Sequence, residues 1–229
     1  MKWLINFFTS SIGRKLIMSL TGLFLILFLV IHLLGNLQLL VDDGGATFNA
    51  YAYMMTNNPL IKVVAYGNYF FIILHAVMGF MLWSKNRSAK GSTYAVRSNA
   101  KVTWASKNMA LLGTLILAFI FIHMGDFWFK MKFTDQIALI SVEGMDVQVK
   151  DLYTQVATTF ANPWLVAAYL IGLATLSFHL WHGFQSAFQT LGLNHPKYTP
   201  LIGNLGKAYA VLIPLGYAVI PLYYFFVMK

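Results

Sequence analysis

Four histidines stand inside stretches of the chain that carry no formal charge: His32, His75, His123 and His179. An imidazole in an apolar medium needs a partner, because an unpaired polar group there costs several kcal/mol. Three partners suit it: another side chain across a helix interface, a proton relay, or a metal. Intramembrane relays usually recruit Asp or Glu, and these stretches contain none. One histidine taken alone reads as a hydrogen bond between helices. One in each of four consecutive stretches points instead to ligands for a bound metal group.

The stretches that must position them are five in number: 16–41, 63–84, 108–125, 163–193 and 208–228. Each approaches or exceeds the roughly 18–20 apolar residues that cross a bilayer as a helix. Of 229 residues, 59% are hydrophobic and 10% charged, against about 25% charged in a soluble domain. The composition therefore predicts an all-α integral membrane protein. Its five transmembrane helices cover about 16–41, 60–84, 105–129, 162–192 and 206–228, and residues 1–229 form one domain. Residues 1–15 read as a short amphipathic lead-in at the interface, with Trp3 at headgroup level. Arg14 and Lys15 stand where a signal peptide would need a small-residue cleavage site, so a cleavable signal is not expected.

The absence of cysteine excludes thiolate-held iron–sulfur clusters, cysteine-ligated zinc, disulfides and covalent c-type haem. The sequence has no glycine-rich phosphate loop or dinucleotide fingerprint. With the N-terminus on the cytoplasmic side, eleven of the sixteen Lys and Arg residues fall inside and five outside, while all seven Asp and Glu fall outside. That is the bias of the positive-inside rule. It leaves the C-terminus outside. The net charge of +9 then reflects topology and contact with membrane lipids, and no nucleic-acid partner is expected.

Depth sorts the histidines into two levels. His32 and His123 lie roughly 14 and 9 Å from the outer ends of their spans, at 1.5 Å per residue. His75 and His179 lie roughly 14 and 18 Å from the inner ends. The pairs His32/His123 and His75/His179 can therefore meet at two depths roughly 10–15 Å apart. Two imidazoles facing each other at one depth suit the two axial positions of a b-type haem, so the first four helices are expected to bundle around two haems b. Bis-histidine ligation saturates the iron and favours electron transfer. Gly183 follows His179 by four residues, and Gly79 follows His75 by four. Each places a flat spot on the histidine's face. His182 reads first as a structural residue, with a role beside a haem carboxylate or in a proton path as its alternative. A cofactor-free transporter or scaffold, and the cytochrome b of another membrane dehydrogenase, are the competing functions.

The chain also carries Ser19-Leu20-Thr21-Gly22-Leu23-Phe24 ahead of His32, Phe48-Asn49-Ala50, and His75-Ala76-Val77-Met78-Gly79. Tyr94 and Arg97 follow, then His123 and the His179/Gly183 pair. In this order and spacing it resembles the membrane-anchor cytochrome b subunit of succinate dehydrogenase and fumarate reductase. The likeness is to the class with one anchor chain, five membrane helices and two haems b. The resemblance implies axial pairs from helices I and III and from helices II and IV. Ser19, Gly79, Gly183 and His182 are then expected around the haems. It implies a flavoprotein subunit and an iron–sulfur subunit on the cytoplasmic face of a bacterial inner membrane. It also implies a quinone substrate, usually menaquinone. Some relatives carry a Glu two residues before the fourth-helix ligand; here that position is Ser177. Their outer acid near the quinone has no match around Met54. Gln38, Asp42 and Asp43, at the end of the first span, are the candidate quinone groups. The chain by itself is expected to have no succinate dehydrogenase activity.

Overall fold

The chain opens with a short amphipathic helix, α1 (Lys2–Thr9), whose Trp3, Phe7 and Phe8 are exposed. Ser10 then breaks the helix. Its Oγ accepts from the Gly13 amide at 3.0 Å and caps α2 (Ser11–Asn36), as a serine at this position is suited to do. The computed structural model describes residues 2–89 and 103–228, apart from the side chains of Leu4, Ile5 and Ala89. Tyr94 and Arg97, with the basic residues Lys90 and Lys101, lie outside the described residues.

Past a 3-10 turn at Leu37–Leu40 the chain reverses through Gly44 and Gly45. Gly45 has φ +86°, and a Cβ there would fall 2.3 Å from the Tyr153 ring, so both backbone and packing require glycine. Asp43 accepts from the amides of Gly45 and Thr47, each at 2.9 Å, and so starts α3 (Ala46–Asn57). The long α4 (Pro59–Ala89) follows. Next come a single turn, α5 (Trp104–Lys107), and α6 (Met109–His123). Beyond His123 the helix widens into a π-helical turn, Met124–Phe129, and continues as α7 (Lys130–Phe133). The third span thus runs past the expected end near 129. A two-stranded antiparallel hairpin pairs β1 (Leu139–Ser141) with β2 (Gln148–Lys150). Then come α8 (Leu152–Phe160), α9 (Pro163–Thr190) and α10 (Thr199–Phe226).

Among the described residues, five segments are long and apolar enough to cross a membrane: Ser11–Leu40, Pro59–Ser88, Met109–Phe133, Pro163–Thr190 and Thr199–Phe226. Their outward faces carry exposed Leu27, Val63, Ile73 and Leu212, each at least 60% accessible. A soluble protein does not leave apolar patches of this extent in water. The spans are helical, the form in which a lipid-exposed backbone pairs most of its own polar groups.

Helices α2, α4, α6 and α9 form a closed ring of neighbours, and α10 lies outside it against α9 and α2. Lys85 Nζ donates to Ser11 Oγ at 2.7 Å and ties the end of α4 to the start of α2. Lys15, Arg87 and Lys107 gather near this end, termed here the basic end. At the other end α3, the hairpin and α8 form a cap. Its core is Leu39, Phe48, Val156, Phe160 and Val166, with Tyr169, Ile220 and Tyr224. All seven acids of the chain belong to this capped end.

Three tyrosines attach α10 to α2 and to the 3-10 turn that follows it. Tyr209 Oη donates to the Ile26 carbonyl, Tyr217 Oη to Leu29 at 2.7 Å, and Tyr224 Oη to Leu39 at 2.9 Å. The seven- and eight-residue spacing keeps them on one helix face.

Candidate functional site: two histidine pairs along a central cavity

The ring of four helices encloses a cavity of about 1320 Å³ that all four intramembrane histidines line. A single drug-sized ligand occupies a pocket of about 300–1,000 Å³, so this one has room for more than one group. His32 from α2 faces His123 from α6, with ring centres 5.9 Å apart. His75 from α4 faces His179 from α9, with ring centres 6.2 Å apart. These are the two pairs that depth along the helices brings together.

Contacts along the helices give the spacing of the two levels. His75 touches Thr21, eleven residues before His32 on α2, or about 16 Å. His123 touches Tyr169, ten residues before His179 on α9, or about 15 Å. The two helices agree, at the upper limit of the separation expected from the sequence.

The ring separations suit a shared metal ion. A histidine nitrogen binds a metal at about 2.0–2.1 Å, and the ring centre lies about 1.1 Å further, so two rings on opposite sides of one ion stand about 6.3 Å apart. The observed values fall within about half an ångström of this. Among the described residues no group of three or more His, Cys, Asp or Glu gathers as a metal cluster. Each level therefore brings two imidazoles together with no third such group beside them among the described residues.

Local structure orients the ring of His75. Its Nδ1 lies 3.1 Å from Thr21 Oγ1. A Cβ on Gly22 would fall 3.2 Å from His75 Cε1, so glycine permits this close seat. At His32 the Asn36 amide nitrogen donates to the His32 carbonyl at 2.6 Å and stands 3.3 Å from Nδ1. The latter contact is longer than the usual range of about 2.7–3.2 Å. His179 Nδ1 is buried and has no hydrogen-bond partner among the described residues.

The surrounding residues named from the sequence take distinct places. Ser19, Gly79, Gly183 and His182 all line the cavity. Ser19 is buried, and its Oγ donates to the Lys15 carbonyl at 2.9 Å. A Cβ on Gly183 would meet nothing within 4 Å, and the same holds for Gly113 across the cavity on α6. Gly79 packs against Met18. Gln38, Asp42 and Asp43 do not line the cavity. Asp42 and Asp43 are exposed at the capped end. The hydrogen bonds of Thr47, outweighing the small cost of desolvation, hold the Asp43 carboxyl below its ordinary range.

Several residues of the site escaped sequence reasoning. Asn68 lines the cavity at 5% exposure, and its Oδ1 has no donor among the described residues. It precedes His75 by seven residues on one face of α4, a spacing that carried the signal. Asp126, in the π-helical turn, accepts from Tyr169 Oη at 3.1 Å, and Tyr169 in turn packs against His123. Gln155 of the cap donates to the Asp126 carbonyl at 3.1 Å. Tyr217 lines the cavity with its ring 5.9 Å from His32. Only the fold brings these groups together.

Fold and site together define a mainly helical protein that has, among the described residues, five segments able to cross a membrane and two facing histidine pairs between them. No family model, curated protein or solved structure matches the chain.

Proposed function

We propose that the chain is a diheme cytochrome b, the membrane anchor of a succinate:quinone oxidoreductase, passing electrons between an iron–sulfur subunit and a membrane quinone. The observation that carries this reading is the pairing of four intramembrane histidines at two levels of one cavity, at ring separations of 5.9 and 6.2 Å. His32 and His123 hold the haem at the capped end, and His75 and His179 the haem at the basic end. A haem held between such pairs would supply one-electron transfer. Gly183 and Gly113 leave open space for the macrocycle, and Ser19 and His182 border it at the basic end.

The assignment to succinate chemistry rests on the sequence resemblance, supported by the charge distribution. The basic end carries Arg87 and Lys107, and a positive surface orients docking of complementary subunits. In this reading a flavoprotein and an iron–sulfur subunit sit there, on the cytoplasmic side of a bacterial inner membrane. A quinone, menaquinone in most of the resembling class, reacts toward the capped end near Gln38, Asp42 and Asp43. The test is isolation of the chain from native membranes with whatever accompanies it. Co-purifying flavin and iron–sulfur subunits with succinate:quinone activity support the reading. Partners of a formate dehydrogenase or hydrogenase type assign the chain to a different membrane dehydrogenase.

A further inference from the structure

The hydroxyl of Thr21 has one hydrogen, and the helix takes it. Thr21 Oγ1 lies 2.8 Å from the Ile17 carbonyl and 3.1 Å from the Met18 carbonyl, and it donates to them. These are the back-bonds a threonine makes within its own helix. Its oxygen keeps lone pairs and lies 3.1 Å from His75 Nδ1. A neutral imidazole carries its proton on one nitrogen and a lone pair on the other. With the threonine proton directed to these carbonyls, Nδ1–H is the donor of this contact, and the Met18 carbonyl stands beside Thr21 as a second acceptor for the His75 ring. That tautomer leaves Nε2 unprotonated. Thr21 is 4% exposed, so water does not compete for the contact.

We infer that Thr21 is a positioning residue for the axial ligand His75: its oxygen accepts the Nδ1–H and fixes the one tautomer whose Nε2 lone pair is free for iron. Gly22 beside it allows the ring to approach. The inference rests on the diheme reading and adds an asymmetry to it. Among the described residues no group hydrogen-bonds the Nδ1 of the partner ligand His179, so α2 orients this centre from the His75 side. Outer partners of this kind set ring orientation and raise the basicity of the ligand, and their loss typically costs about 10–100-fold in metal affinity. A more basic ligand favours the ferric state. Removing the acceptor therefore raises the midpoint potential of the basic-end haem, by about 59 mV for each tenfold loss of ferric over ferrous affinity.

The experiment compares wild type, Thr21→Val, Thr21→Ser and His75→Ala in the intact complex, extracted with both haems. Redox titration followed by absorbance and low-temperature EPR reads each centre separately, and the signal missing in His75→Ala identifies the basic-end one. Thr21→Val keeps the shape of the side chain and is expected to raise that centre's potential or lower its retention about tenfold. The capped-end centre stays unchanged as the internal control. Thr21→Ser, which keeps the oxygen, restores wild-type behaviour. An unchanged basic-end centre in Thr21→Val overturns the inference, as does equal failure of the serine and valine variants or joint loss of both centres. A wild-type complex without haem overturns the diheme reading itself, a result distinct from all of these.

Discussion

Ser177 Oγ donates to the Ala210 carbonyl at 2.6 Å. The reason lies four residues further along α10. Pro214 has no N–H, so the Ala210 carbonyl lacks its helical donor, and the serine of α9 supplies one. A position that holds a carboxyl in some of the resembling proteins is here a structural tie between two helices. Ser177 does not line the cavity.

The tie predicts a coupled pair of substitutions. Ser177→Ala leaves a carbonyl without a donor in the membrane interior, at a cost of about 1–3 kcal/mol. Pro214→Ala returns the missing N–H to the helix, so Ser177→Ala in that background should cost clearly less. Thermal unfolding of the four proteins in detergent measures the coupling. Additive losses would mean that the serine hydroxyl and the proline are independent.

Removal of ligands should act one level at a time. His75→Ala or His179→Ala is expected to remove the basic-end haem first, and His32→Ala or His123→Ala the capped-end one. Absorbance spectra of reduced and oxidised forms, with EPR of the ferric state, distinguish the losses. If His179→Ala keeps two bis-histidine haems, His182 becomes the ligand in its place, because it lines the same cavity three residues on.

The cap should loosen in acid. Asp151 is partly buried, which by itself would raise its carboxyl. Hydrogen bonds from Thr154 and from Asn49 outweigh that and hold the carboxyl below the ordinary value of 3.8. The stabilisation from a depressed carboxyl is complete well above the unfolded value and is lost as pH falls through the folded one. Asn49 is 1% exposed and bridges Asp151 Oδ1 at 3.0 Å to the Tyr153 amide at 3.0 Å. Hydrogen exchange at Tyr153 and Thr154, corrected for intrinsic rates, should accelerate only below about pH 4. Asp151→Ala should show the fast exchange at neutral pH, with a loss of about 1 kcal/mol from the helix start. Identical pH profiles for the two proteins would remove Asp151 from this role.

Electron transfer between the two levels should sense the membrane potential. The levels are about 15 Å apart, and moving one charge across the whole membrane changes the energy by about 2.3 kcal/mol per 100 mV. With Ser177 tied to Ala210, that position offers no carboxyl to carry a compensating proton. Turnover of the complex in sealed vesicles should therefore change when an uncoupler collapses the potential. Indifference in both reaction directions would place the quinone at the basic end or require protons to cross with the electrons.

Charge-free runs made the five spans legible in the sequence, but charge alone placed some of their ends too far inward. Helix α2 begins at Ser11 and includes Arg14 and Lys15, and α10 begins at Thr199 and includes Lys207. Long basic side chains reach the interface from within a helix, and a proline after Thr199 suits a helix start. The third span continues through Asp126, whose carboxyl accepts from Tyr169 of α9. The two histidine pairs were legible because depth follows from residue count along a helix. Their supports were not: Thr21 to His75, Ser177 to Ala210 and the α10 tyrosines to α2 join residues up to 188 positions apart, and no local pattern encodes such a contact.

Haem content of the purified full chain, measured as the pyridine haemochrome against protein mass, tests the central claim most directly. Two haems b per chain are expected, falling to one in His32→Ala and to one in His179→Ala. A wild-type chain that carries no haem when purified from haem-replete membranes would contradict the account and leave the four histidines as hydrogen-bonding residues of a cofactor-free membrane protein.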